Sequence, residues 1–153
     1  MGSATSAPTG SPAATQRGNV AHISHPAFYS YFMDAQVPVR TLIERLLDRL
    51  LPEPMVRAPG LPSFGRATVT EQPGRRMLHL LSYVPEKRGP NVDMIEEPIT
   101  LRKVDVALRV DGSEPTSVYL APDREELAFE VRDGYAHVTI PEMSGYAMVV
   151  FEG

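Results

Sequence analysis

An antiparallel β-sandwich of about eight strands, preceded by a short strand and one amphipathic helix, is the mainly β fold this sequence predicts. Three observations carry that expectation. Apolar residues alternate with polar ones along most of the second half of the chain, turn signals punctuate it frequently, and only one stretch shows a helical period. At 153 residues there is room for one modest core.

The opening stretch, residues 1–17, is rich in Ser, Thr, Ala, Gly and Pro and has no large apolar side chain beyond Met1. It cannot bury enough surface to offset its ordering entropy, so a disordered tail is expected. Val20, Ala21 and Ile23 make a short strand, and Pro26 marks a turn or a helix start. Phe28, Tyr29, Tyr31 and Phe32 then crowd together. Fully burying each is worth about 1.5–3 kcal/mol, so they are expected to pack on this chain or on another.

From Pro38 to Leu51 the residues Leu42, Ile43, Leu46, Leu47, Leu50 and Leu51 recur at i, i+3/i+4 spacing. Pro38 suits a first turn and Pro52 stops the helix. Such a stripe packs on a core or on a partner. Beyond Pro52, strands are expected at Arg66–Gln72, Arg76–Tyr83, Met94–Leu101, Lys103–Val110, around Val118 and Leu120, and at Tyr146–Glu152. Asp133-Gly134 is a two-residue hairpin signal. It would set Arg132 opposite Tyr135, Val131 opposite Ala136, Phe129 opposite Val138 and Leu127 opposite Ile140, with the apolar pairs on one face. Met77–Tyr83 is apolar on both sides, Leu78 and Leu80 against Met77, Leu81 and Tyr83, as in a central strand with a second cover over its outer face, the helix or the aromatic segment.

Charge and composition exclude several functions. The net charge is −4 with no long run of either sign, unlike the clustered basic face of a nucleic-acid binder. No apolar run approaches the ~20 residues that span a bilayer, and no secretory signal pattern opens the chain. Cysteine is absent, which removes disulfides and thiolate chemistry, and a cytoplasmic location fits. Tryptophan, a common sugar-stacking platform, is absent as well.

Candidate chemistry is sparse. His22 and His25 have the spacing of two metal ligands but lack a second pair, so no metal is expected. His79 reads as a hydrogen-bonded, half-buried histidine, and His137 as the surface partner of Glu130 across the hairpin. Glu96 and Glu97 are adjacent, so on a strand they point to opposite faces and cannot act as a paired-carboxylate acid/base site; one of them could meet Arg102 or Lys87. Lys87 and Arg88 sit in what reads as a loop. No nucleophile elbow, phosphate loop or dinucleotide turn occurs, and no cofactor is expected.

The strings "HPAFYSYF", "LLDRLLPEP", "LHLLSYVPE" and "IPEMSGYAMV" resemble the C-terminal end of large glycoside hydrolases of the β-galactosidase trimerisation type, a group with α-L-fucosidase-like members. The resemblance covers roughly Gly18 to Phe151. It implies that Val20–Ser24 and Pro38–Leu51 are the last elements of a trimerisation-type α/β domain, residues 18–62, and that a β-sandwich occupies residues 63–153. The catalytic TIM barrel of that family has no counterpart here, so no catalytic residue is carried over. Ser82 stands where the family motif has asparagine.

The expected function is therefore a non-catalytic accessory or assembly domain of a glycoside hydrolase. Its partner contacts would be Phe28, Tyr29, Tyr31, Phe32, Leu42 and Leu46, engaging a second copy or a separate catalytic chain. An edge strand at Val20–Ile23 without its parent sheet would invite the same association. The rival is an autonomous carbohydrate-binding module with Tyr119 and Tyr135 as exposed sugar contacts. A third reading, an enzyme in its own right, finds no acid/base pair in the sequence.

Overall fold

In the computed structural model, residues 10, 12–95 and 97–153 are described. The chain divides between Glu53 and Pro54 into two units. The first begins with a hairpin of β1 (Ala14–Arg17) and β2 (Val20–Ile23) around a Gly18-Asn19 turn. Gly18 has φ +58°, and it stands at the first central position, where a type II′ turn takes glycine. The expected disordered tail is corrected at its end: Ala14–Arg17 is a strand, because that turn lets its backbone pair with Val20–Ile23. Val20–Ile23 correspondingly has a partner strand.

Helix α1 (Ala27–Asp34) starts after Pro26 and ends at Ala35, whose left-handed backbone (φ 48°) returns its N–H to the Tyr31 carbonyl. Helix α2 (Val37–Leu50) follows at once, with Pro38 in its first turn, where a missing N–H costs nothing. Within this unit α1 packs on α2, and α2 touches β2. No helix among the described residues is long and apolar enough to cross a membrane.

The second unit contains β3 (Val56–Arg57), β4 (Arg66–Gln72), β5 (Arg75–Leu81), β6 (Glu86–Gly89), β7 (Val92–Met94), β8 (Thr100–Arg109), β9 (Ser117–Ala121), β10 (Glu125–Glu126), β11 (Phe129–Arg132), β12 (Tyr135–Ser144) and β13 (Tyr146–Glu152). Nine of these strands form one antiparallel hydrogen-bonded set that doubles back on itself. One layer runs β4-β5-β13-β9-β10 and the other β11-β12-β8-β3. The layers are joined where β12 runs into β13 at Gly145, with Ser144 opposite Tyr146 as the sole pair between those strands. Gly145 has φ +76°, and a Cβ there would strike the Tyr83 ring, so the corner demands glycine. The fold is the mainly β, antiparallel sandwich that the sequence predicts.

Its core lies between the layers. Leu78, Leu80, Ala147, Val149 and Phe151 from one meet Val104, Val106, Leu108, Val138 and Ile140 from the other. β5 is central, flanked by β4 and β13. Its other face forms a second cluster in which Met77 packs with Tyr119 and Val150. Side chains of neighbouring strands in the same sheet therefore surround Met77, whereas Leu81 on that face stays 42% exposed.

Four further expectations change. The expected boundary near residue 63 moves to Pro54, because Val56 and Arg57 pair with Leu108 and Ala107 and Leu61 packs against the core. Met94–Leu101 is not one strand: Met94 ends β7 and Thr100 begins β8, with Pro98, which has no N–H for a ladder, between them. The Asp133-Gly134 hairpin has the expected register from Arg132–Tyr135 to Phe129–Val138. Leu127, however, does not face Ile140, because its N–H donates to the Val118 carbonyl (2.9 Å) and draws the chain into the other layer. Lys87 and Arg88 lie on a small hairpin, β6–β7, rather than in a loop.

Candidate functional site

Two surfaces merit attention, one in each unit. On α1, the i, i+3/i+4 set Ala27, Ser30 and Tyr31 turns inward, with Ala27 buried and the other two half-buried. The remaining aromatics therefore point out: Phe28, Tyr29 and Phe32 are 67%, 63% and 83% exposed, and Met33 lies beside them. Phe28–Phe32 and Tyr29–Met33 are i, i+4 pairs, so together they form one apolar face. Of the other expected contacts, Tyr31, Leu42 and Leu46 are half-buried, while Leu47 and Leu51 are more than half exposed. A helical face of this kind has no chemistry of its own; what it offers is area.

The tyrosines expected to meet sugar are enclosed. Tyr119 is 5% exposed; its hydroxyl donates to Glu152 Oε1 (2.8 Å), and the Arg124 guanidinium lies 4.5 Å over its ring. Tyr135 is 2% exposed; it donates to the Pro54 carbonyl (2.7 Å), and Arg57 covers its ring at 3.9 Å. Neither presents a face to a ligand, because a guanidinium occupies the stacking position a sugar would need.

Glu96 lies outside the described residues, and Glu97 is exposed and outside any strand. Arg102 pairs with Glu142 (3.0 Å), and Arg88 with Glu86 (3.0 Å). No group of three or more His, Cys, Asp or Glu that could hold a metal occurs among the described residues. His79 is half-buried and hydrogen-bonded on both ring nitrogens, to Thr70 Oγ1 and the Tyr146 hydroxyl, each at 2.8 Å. It ties β4, β5 and β13 together, as a structural histidine does.

His137 departs from the surface pairing expected for it. It is opposite Glu130 in register, yet it is half-buried, and its Nε2 is shielded from water with no hydrogen-bond partner among the described residues. It lines a groove of about 790 Å³ on the outer face of the four-stranded layer. There Thr139 donates to Asp105 Oδ1 (2.6 Å). The crossing segment Leu127–Phe129 contributes to the wall. Elsewhere on the sandwich, Arg109 Nε donates to Asp111 (2.8 Å). That hydrogen bond, with the charges of Arg109 and Arg76, holds the Asp111 carboxyl below the usual carboxylate range despite some desolvation.

No protein-family model matches the sequence, and no curated protein matches it. Among solved structures, an α-L-fucosidase isoenzyme 2 from Paenibacillus thiaminolyticus is similar over 94% of this chain, at 31% identity and a TM-score of 0.86. A cycloisomaltooligosaccharide glucanotransferase from Paenibacillus sp. shows a partial likeness over 63% of the chain, covering 16% of its own, at 18% identity and a TM-score of 0.48. The present chain spans only 22% of the length of that fucosidase, so its likeness is to a small part of a much larger protein.

Proposed function

We propose that this chain is a non-catalytic accessory part of a glycoside hydrolase of the α-L-fucosidase kind, and that it serves packing and assembly. One observation carries the reading: nearly the whole chain superposes on about a fifth of a fucosidase chain. Most of such an enzyme lies outside what these residues match.

The outer face of α1 supplies the contact. Phe28, Tyr29 and Phe32 each gain about 1.5–3 kcal/mol when fully covered, which offsets a large part of the cost of association. Tyr31, Leu42 and Leu46 are half-buried and offer less area to a partner. The occupant is a second copy, in a trimerisation-type arrangement, or a glycoside hydrolase catalytic domain.

Sedimentation tests the contact. The purified chain should show a mass that rises with concentration or on adding a fucosidase catalytic domain, and Phe28→Ser/Phe32→Ser should abolish the rise. Turnover of 4-nitrophenyl α-L-fucoside by the isolated chain would overturn the non-catalytic reading. The binding-module rival loses its stated platform, since Tyr119 and Tyr135 are buried.

A further inference from the structure

We infer that the groove on the outer face of the β11-β12-β8-β3 layer is a binding site for a short glycan, centred on His137. The inference is independent of the assembly reading. It begins with the strand register. Glu130 lies opposite His137, His137 opposite Ala107, and Ala107 opposite Arg57, so one row crosses all four strands. With neighbouring strands about 4.8 Å apart, the row spans about 14 Å. A hydrogen-bond acceptor stands at one end, a five-donor guanidinium at the other, and the smallest side chain is in the floor.

The next row adds Asp105 opposite Thr139. Thr139 donates to one oxygen of Asp105, which fixes the carboxylate and leaves its other oxygen as an acceptor. Pro59, Phe129 and Pro141 add apolar edges to the groove. Glu125, Glu126 and Arg132 line it as well, so acceptors outnumber the guanidinium donors while apolar surface lies among them.

That mixture selects the ligand class. A sugar presents adjacent hydroxyls that both donate and accept, together with apolar C–H faces, and so uses all three kinds of lining. A simple ion would use one. His137 adds a group with an unmade hydrogen bond: its Nε2 has no partner among the described residues, which costs about 1–3 kcal/mol, and because the atom is enclosed a ligand hydroxyl meets it only when the ring rotates toward the groove. A ligand hydroxyl meeting the ring would remove that cost.

The test is titration of the ¹⁵N-labelled full chain with methyl α-L-fucoside and with cellotetraose, using tetralysine as the ionic control. The expected result is saturable amide shifts for one glycoside at Asp105, Ala107, His137 and Thr139, unchanged by about 0.5 M salt, which screens exposed charges. Glu130→Gln/Asp105→Asn should weaken binding at least tenfold while the melting transition and the sedimentation behaviour stay in place. His137→Gln, which keeps a donor and an acceptor, should retain more affinity than His137→Phe. Absence of shifts with both glycosides, or shifts outside the groove, overturns the proposal. So does a response to tetralysine alone that salt abolishes, which would mark an acidic patch. Phe28→Ser/Phe32→Ser should bind glycoside normally, so loss of assembly and loss of sugar binding are read separately.

Discussion

The two units of this chain use apolar side chains in opposite ways. In the sandwich, Leu78, Leu80, Val149 and Ile140 are at 0% exposure, enclosed between two layers. In the helical unit, Ala27 and Ile43 are the buried apolar residues among those described, while Phe28, Phe32, Val37, Leu47 and Leu51 are more than half exposed. A sandwich supplies two faces that cover each other. Two short helices and a two-stranded hairpin cannot, because once each helix has turned one stripe inward nothing remains to cover the rest. The sandwich unit's apolar content therefore reports a core, and the helical unit's reports an exposed apolar surface.

Substitutions in the two units should differ in cost accordingly. The largest effect is expected from Leu80→Ala, which removes a fully enclosed side chain and should cost about 2–5 kcal/mol in urea denaturation. Leu47→Ala, at 54% exposure, should cost well under about 1 kcal/mol. Equal losses for the two leucines would erase the distinction between the units. Gly145→Ala should follow, with a loss of about 2 kcal/mol or more: the left-handed backbone costs an L-residue about 1–2 kcal/mol, and its Cβ meets the Tyr83 ring. The same scan of melting temperature should leave Gly18→Ala much milder, as a Cβ at Gly18 meets nothing within 4 Å and carries only the backbone strain.

A smaller change, about 1 kcal/mol, is expected for Tyr135→Phe, which deletes the donor to the Pro54 carbonyl but keeps the ring beneath Arg57. Chemical denaturation would show whether that clasp matters to the start of the sandwich unit. The slightest effect belongs to Asp111, which is solvent-facing. Its folded-state pKa is depressed, so its contribution is present above about pH 4 and is lost as pH falls through the lower folded-state value. Asp111→Asn should flatten the acid limb of a stability–pH curve over that interval and change little at neutral pH beyond the weakening of the Arg109 and Arg76 contacts.

Much of the sandwich was legible as local pattern. Arg66–Gln72 and Tyr146–Glu152 are strands over the residues their alternation predicts. Arg132 does face Tyr135 across Asp133-Gly134. Leu127 was misread because alternation records which side a residue faces and not which layer it joins; the backbone bond to Val118 decides that. A related change occurs at Lys103 and Pro141. The inward residues Val104 and Ile140 give way to Leu101 and Met143, and Lys103 takes φ +53°. No periodic reading of either strand foresees such a reversal.

The candidate sites were legible by halves. Phe28, Tyr29 and Phe32 stood out by density alone, and exposure adds the side they present. Tyr119 and Tyr135 were misplaced because each alternates outward, and only the folded chain brings Arg124, Glu152, Arg57 and Pro54 over them. Glu130 and His137 were already opposite each other in the sequence reading. Ala107 and Arg57 were not, since β8 and β3 reach the same row through pairings between residues far apart in the chain.

Strand and helix periods, hairpin turns and the cluster of aromatic side chains near the N-terminus can be read along the chain, because they follow from residue identity and from forces acting over a few neighbouring residues. Tertiary structure alone decided which layer each strand entered, which tyrosines were capped and which four residues lined up across the groove. Those outcomes depend on backbone pairing and packing between distant segments, and no local period encodes them.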